Sequence, residues 1–261
     1  IHEWGPVDWT EPGLIERMAR ADLIVLTASE LWRPANEDLR PLEKIRAIHP
    51  DIVIIGYMLA KTVQVQWGAA AQSHPFGHAM YEATRDYWCY TTTGDTLQDW
   101  WNQINVNILE PECRTAMADV IADFQATSNN PVDGVFWDYF ATELWWPVDT
   151  LFEGEPDLDV DGIAHLEDPD EREAYRQASE DLIAEVRTRV GDDFIQIFNG
   201  TRGQIDPAFA ALSDGIHYEP RWFKAWPGGE RSAVRVGERE VPIGDLYFDV
   251  GGLRVGFEIC E

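Results

Sequence analysis

The chain has 261 residues, 45% hydrophobic and 12% aromatic, enough for one α/β barrel of ordinary length or for two smaller domains. Its 47 acidic side chains outnumber 20 Lys and Arg, a formal charge of −27 that argues against nucleic acids and anionic membranes as partners. No window approaches about 18 uninterrupted apolar residues, so no transmembrane helix is expected, and 3 cysteines with no close-spaced pair argue against a zinc ribbon or a disulfide scaffold.

Only Lys44, Lys61 and Lys224 are lysines. An acid-rich, lysine-poor balance is shared by proteins adapted to high salt and by acidic mesophile proteins from GC-rich genomes. Both make stability depend on salt, which screens self-repulsion.

In chain order the pattern is strand, loop, helix, repeated. "ADLIVLTASELW" (21–32) begins with a buried-strand run. "NEDLRPLEKIRAIHP" follows as a helix, with Leu42, Ile45 and Ile48 on one face and Pro41 in its first turn. "DIVIIGYML" (51–59) is a second buried strand and "DYWCY" (86–90) a weaker third. "PECRTAMADVIADFQA" (111–126) reads as a helix, with Ala116, Val120, Ile121 and Phe124 at helical spacing. "DGVFWDYF" is the fourth strand. Residues 168–191 form the clearest helix, capped by Asp168, opened by Pro169 and ended by Gly191. "FIQIFNG" (194–200), a short helix at 206–212 and "DGIHYE" (214–219) supply the fifth strand, a crossover and the sixth strand.

This alternation implies a parallel sheet with helical crossovers. No GxGxxG follows a strand, which weakens a dinucleotide-binding sheet. The expectation is an α/β fold, a (β/α)8 TIM barrel that is incomplete or irregular after the sixth strand, with a β-hairpin-like C-terminal tail bent at Gly251-Gly252. The expected division is a barrel at 1–216 and a distinct tail at 217–261.

Active sites of such barrels form where strands end and βα loops begin. Asp138 ends the fourth strand, Asn199 the fifth and Glu219 the sixth; Glu30 and Trp32 follow the first. Tyr139, Trp145 and Trp146 come just after Asp138, and Trp88 lies in the weak third strand. Exposed Trp is costly unless something stacks on it, and a sugar ring offers an apolar face. Two carboxylates with aromatic platforms suit glycoside hydrolysis, in which one carboxyl protonates the leaving oxygen and the other attacks or activates water. The candidate pair is Asp138 and Glu219, with Trp32, Trp88, Tyr139, Trp145, Trp146, Asn199 and His217 as substrate contacts. The bland alternatives are a capping or salt-bridged Asp138 and a hydrogen-bonded His217. Asp133 reads as a cap at the start of its strand, and Cys89 and Cys113 as small buried hydrophobes.

"DGVFWDYF" resembles the DG(I/V)F.D strand of glycoside-hydrolase-like TIM barrels, and "IVIIGYM", "NILEPECR", "IFNG" and "DGIHYE" sit at comparable places. The resemblance covers about 1–219. It implies Asp138 as nucleophile or stabilising carboxylate, Glu219 as general acid/base and a carbohydrate substrate. A non-catalytic carbohydrate-binding barrel is a further reading.

The tail resembles another family. "YEPRWFKAW" followed by "VPIGDLYFDVGGLRVGFEIC" is similar to the carbon–nitrogen hydrolase (nitrilase) superfamily, closest to the glutaminase domain of glutamine-dependent NAD synthetase, over about 215–261. That resemblance implies Cys260 as nucleophile and Glu219 as an accessory glutamate. The family's lysine has no match in 195–218, Glu30 fits the base position poorly, and the chain stops one residue after Cys260. The glycosidase reading implies an extracellular protein, the amidase reading a cytoplasmic one. Neither requires a cofactor, and the oligomeric state stays open.

"DLDVDGIAHLED" (157–168) approaches the pattern of a calcium loop. Asp157, Asp159, Asp161, the Ile163 carbonyl and Asp168 take the ligand positions, and Gly162 allows the turn; an Asp at the twelfth position reaches less well than Glu. The alternative is a solvated acidic loop. Calcium here would stiffen a lid and do no chemistry. His74 and His78 are four apart, but Pro75 and Gly77 argue against a helix and so against a metal pair.

Overall fold

A computed structural model of the chain describes residues 2–3, 7–31, 41–99, 102–127, 132–138, 140, 144, 155–199, 211–217, 233–236, 239–242, 248–250 and 253–255. A two-residue strand, β1 (His2–Glu3), and a short helix, α1 (Leu14–Met18), precede β2 (Leu23–Thr27). Helices α2 (Ala28–Leu31) and α3 (Pro41–Ile48) lead to β3 (Val53–Leu59). Next come β4 (Thr62–Gln64), a 3-10 turn at Val65–Ala69, α4 (Pro75–Thr84), β5 (Tyr90–Thr91), β6 (Gln98–Asp99), β7 (Gln103–Asn105) and α5 (Pro111–Thr127). Then β8 (Gly134–Asp138), β9 (Pro156–Asp157), α6 (Pro169–Val190), β10 (Ile195–Asn199) and β11 (Gly215–His217) follow. In the tail, β12 (Ala233–Val236) pairs antiparallel with β13 (Arg239–Pro242), and β14 (Phe248–Val250) with β15 (Leu253–Val255), the latter pair flanking Gly251-Gly252.

Six strands form one parallel sheet in the order β1-β2-β3-β8-β10-β11. The spatial order follows the chain order without reversal. A doubly wound sheet needs a reversal; right-handed crossovers that always advance in one direction put every helix on one face. The result is an α/β sheet compatible with a TIM-barrel-like fold. Among the described residues β1 and β11 are the two edges of the sheet.

Side-chain alternation divides the core in two. Ile24, Leu26, Ile54, Met58, Val135, Trp137 and Phe198 pack with the helical residues Ile45, Met117, Ile121, Leu182 and Val186 in the larger cluster. Val25, Ile55 and Phe136, with Leu23, Val53, Tyr57, Ile195 and Ile197 against them, form a smaller cluster on the other face. In helix α3 Leu42 and Ile45 are buried as their spacing predicts, whereas Ile48, in the last turn, is exposed. Helix α5 buries Cys113, Met117, Ala118 and Ile121, so its inner stripe is rotated from the expected one while still including Ile121. Asp168 caps α6 by accepting from the amides of Asp170 (2.8 Å) and Glu171 (3.1 Å). Of the expected helix at 206–212, residues 206–210 lie outside the described residues.

Two expectations need correction. "DYWCY" is no member of the parallel sheet. Trp88 bridges Val106 in antiparallel fashion, and the Cys89 amide donates to the Asn105 carbonyl at 2.9 Å. The segment belongs to a small antiparallel excursion between β3 and β8, where close sequence neighbours pair at low loop-closure cost. The sixth parallel strand is β1. Second, Pro75 and Gly77 do sit in a helix: Pro75 opens α4, where its missing amide costs nothing, and His74 Nδ1 caps it by accepting from Gly77 N at 2.9 Å.

The strand starts carry a repeated clamp. Asp133 Oδ2 accepts from Ile54 N in β3 (2.7 Å) and from Arg46 Nη2 of α3 (2.8 Å), while Asp133 N donates to Ile54 O (2.8 Å). Asp214 Oδ2 does the same with Gln196 N in β10 (2.8 Å) and Arg187 Nη2 of α6 (2.8 Å), and its amide donates to Gln196 O (3.0 Å). A glycine follows each Asp. A Cβ on Gly134 would stand 2.2 Å from the Ile195 carbonyl oxygen, so β8 and β10 approach closely only without one.

Candidate active site

Asp138 is the last residue of β8 and is buried. Tyr57 of β3 donates its hydroxyl to Asp138 Oδ2 at 2.5 Å, and Asn199 of β10 donates Nδ2–H to Asp138 Oδ1 at 2.7 Å. The sheet register explains the meeting. Leu59, Asp138, Asn199 and His217 form one row across β3, β8, β10 and β11, and Tyr57 stands two residues before Leu59 on the same face. The ladder continues past the strand ends: Ala60 N donates to Asp138 O (2.9 Å) and Phe140 N to Asn199 O (3.1 Å). Phe140 stacks on Trp137 (centroids 5.6 Å apart) and on Phe198 (5.2 Å). Beneath them Trp137 Nε1 donates to Gln196 Oε1 (3.1 Å), and Gln196 Nε2 to Ile183 O (3.1 Å), so the indole and the amide are both hydrogen-bonded where they are buried.

Asp138 and Asn199 are thus brought together. His217 enters the same row by its backbone. Trp88 is edge-on to Tyr81, with ring centroids 5.9 Å apart, within the antiparallel excursion. Glu219, Trp32, Tyr139, Trp145, Trp146 and Cys260, and the side chains of Glu30 and His217, lie outside the described residues. Tyr57 was missed in the sequence. Its signal was a single hydroxyl on the period-2 face of an otherwise apolar strand, two residues from the strand end. Asp133 stands at the opposite end of β8, occupied by its clamp.

The acidic loop is organised by backbone amides. Asp157 accepts from Asp161 N (3.1 Å) and Gly162 N (2.9 Å), Asp159 from Asp161 N (3.2 Å), and Asp161 from Ile163 N (2.7 Å). Burial first, and then the charges of Asp161, Glu171 and Asp168, push the Asp159 carboxyl above its ordinary value of 3.8. Glu171 was not singled out from the sequence, yet it is buried and central. Its Oε2 accepts from Leu158 N (2.7 Å) and Asp159 N (2.8 Å), and its Oε1 meets buried His165 Nδ1 at 2.5 Å. Two carboxylate groups are close enough to share a divalent cation, Asp157 with Asp159 and Glu171, and Asp159 with Asp161 and Asp168. Asp168 also serves as the helix cap, and exposed acidic groups cluster in this way without an ion.

Neither Cys89 nor Cys113 has the surroundings of a nucleophile. Both are buried, and burial pushes the Cys113 thiol up to about 12.

No protein-family model and no curated protein matches the sequence. Solved structures with some likeness include the glycoside hydrolase domain of PelA from Pseudomonas aeruginosa, at 15% identity over 82% of this chain and 63% of that one, with a TM-score of 0.47. The galactosidase domain of the α-galactosidase–sucrose kinase AgaSK shares 13% identity over 82% of this chain and 28% of its own, with a TM-score of 0.49. The α-galactosidase AgaA from Geobacillus stearothermophilus shares 11% over 77% and 27%, with a TM-score of 0.48. The chain spans less than two thirds of each of these. Likeness of this degree assigns neither a family nor an activity.

Proposed function

We propose that the protein is a glycoside hydrolase acting on a polysaccharide or glycoconjugate, with Asp138 and Glu219 as its two carboxylates. The observation that supports this is a buried carboxylate at the C-terminal end of a parallel strand, held through both oxygens by side chains of the two flanking strands. Glu219 follows His217 by two residues in the sequence, and β11 pairs with the Asn199 strand. The test is reducing-sugar release from a panel of polysaccharides and glycoconjugates by the wild type, Asp138→Asn and Glu219→Gln, with thermal melts confirming each fold. Release that falls by about 10²-fold or more in both variants supports the pair; undiminished release in Asp138→Asn overturns it. Saturable glycan binding without turnover favours a binding barrel instead, and iodoacetamide-sensitive ammonia release from glutamine favours an amidase built on Cys260.

A further inference from the structure

Resting on that proposal, we infer that Tyr57 is a positioning residue that keeps Asp138 ionised and aimed, so that Asp138 supplies negative charge and the reaction's proton donor is a different group. Each Asp138 oxygen accepts a hydrogen bond from a neutral donor, the Tyr57 hydroxyl at 2.5 Å and the Asn199 amide at 2.7 Å. A carboxyl that accepts through both oxygens is favoured as the anion, because protonating either oxygen forfeits a donor already aimed at it. Burial acts the other way, since it disfavours charge, and the two donors oppose it.

Titratable groups stand on the neighbouring strands and just beyond them. Beyond β3, the buried Lys61 places its Nζ 5.7 Å from the centroid of the Tyr175 ring on α6. On β11, His217 shares the register row with Asn199. The phenol is itself held: its ring stacks on Phe136 with centroids 5.8 Å apart, in the smaller apolar cluster on the sheet face opposite the helices. The hydroxyl therefore reaches Asp138 at little conformational cost. A general acid needs the opposite environment, one that keeps its proton at working pH. In the proposed reaction that duty falls to Glu219, and Asp138 acts as nucleophile, base or charge stabiliser.

The experiment is a carbon NMR titration of the full chain labelled at the aspartate side-chain carboxyl carbons, with the Asp138 resonance identified by its absence in Asp138→Asn. In the wild type Asp138 is expected to titrate below the ordinary aspartate range. In Tyr57→Phe, which removes one oxygen and keeps the ring, the midpoint is expected to rise by about one pH unit, a tenfold gain in proton affinity. Asn199→Ala, the second variant should Tyr57→Phe fail to fold, is expected to move it in the same direction. With a hydrolysed substrate in hand, the acid limb of kcat/KM shifts upward by the same amount. A wild-type midpoint above the ordinary range, or one unmoved by both variants, overturns the inference. The titration needs no turnover, so a protein that hydrolyses no glycan defeats the glycosidase proposal while the ionisation of Asp138 is still decided.

Discussion

Asp133 and Asp138 lie five residues apart at opposite ends of β8, and the structure gives them different surroundings. Asp133→Ala removes the acceptor for Ile54 N, an amide on a fully buried residue, and the partner of Arg46. Leaving a buried amide unmet costs roughly 1–3 kcal/mol. With the Asp133 side chain 40% exposed, water can partly replace it, which favours the lower half of that range. The ion pair, with Arg46 at 27% exposure, adds roughly 0.2–1 kcal/mol. Together these give about 2 kcal/mol, a fall in Tm of roughly 4–8 °C for a chain of this size. Arg46→Ala should cost only the ion-pair part, and Asp214→Ala should match Asp133→Ala, because it strips the same contacts from Gln196 and Arg187. Tryptophan-fluorescence melts measure the stability, and sugar release per folded molecule measures turnover. Asp133→Ala is expected to lower stability and leave turnover intact, and Asp138→Asn to do the reverse. A melting point for Asp133→Ala within about 1 °C of wild type, or turnover lost in its folded fraction, refutes the reasoning.

The remaining predictions concern the acidic loop and the thiols. Asp159 has a folded-state pKa raised above its unfolded value of 3.8, so ionising it opposes folding. That penalty is absent below the unfolded value and fully present above the folded one. Asp159→Asn should therefore melt higher than wild type at pH 7, with the difference closing as pH falls below about 3.8. Melts with EDTA and with Ca2+ belong beside it, because a cation shared among the loop carboxylates would reverse the sign. In native protein, thiol reagents should leave Cys89 and Cys113 unmodified, and raising the pH from about 7 to 9 should not open Cys113, whose thiol is pushed up to about 12. Peptide mapping that finds Cys113 labelled as fast as Cys260 would contradict its burial.

The sequence was most readable where period and punctuation agreed. Helix α6 had Asp168 before it, Pro169 inside it and Gly191 after it, and its observed span is Pro169–Val190. The apolar runs at β2, β3, β8 and β10 were long enough to declare buried strands. The failures were contextual. At 86–90 aromatic residues imitated a parallel strand, because β-propensity reports a pleated, half-buried surface and says nothing of the partner. At Pro75 a helix breaker stood where it opens a helix. β1 spans two residues and carries no period at all. Asp138 and Asn199 were visible as polar strand ends. Tyr57 was not, because its role depends on register across three strands, and register comes from long-range pairing that no local window contains.

The two clamps have a consequence for how such a molecule could change. Each joins a helix, the strand after it and the start of the next parallel strand through a single carboxylate oxygen, at the end of the sheet away from Asp138. Successive units are stapled from below, so the strands are already aligned at the end that carries no candidate site. Insertions, deletions and exchanged loops at the rim then cost little in folding, so lineages can explore new specificities there while the staples keep the strands in step.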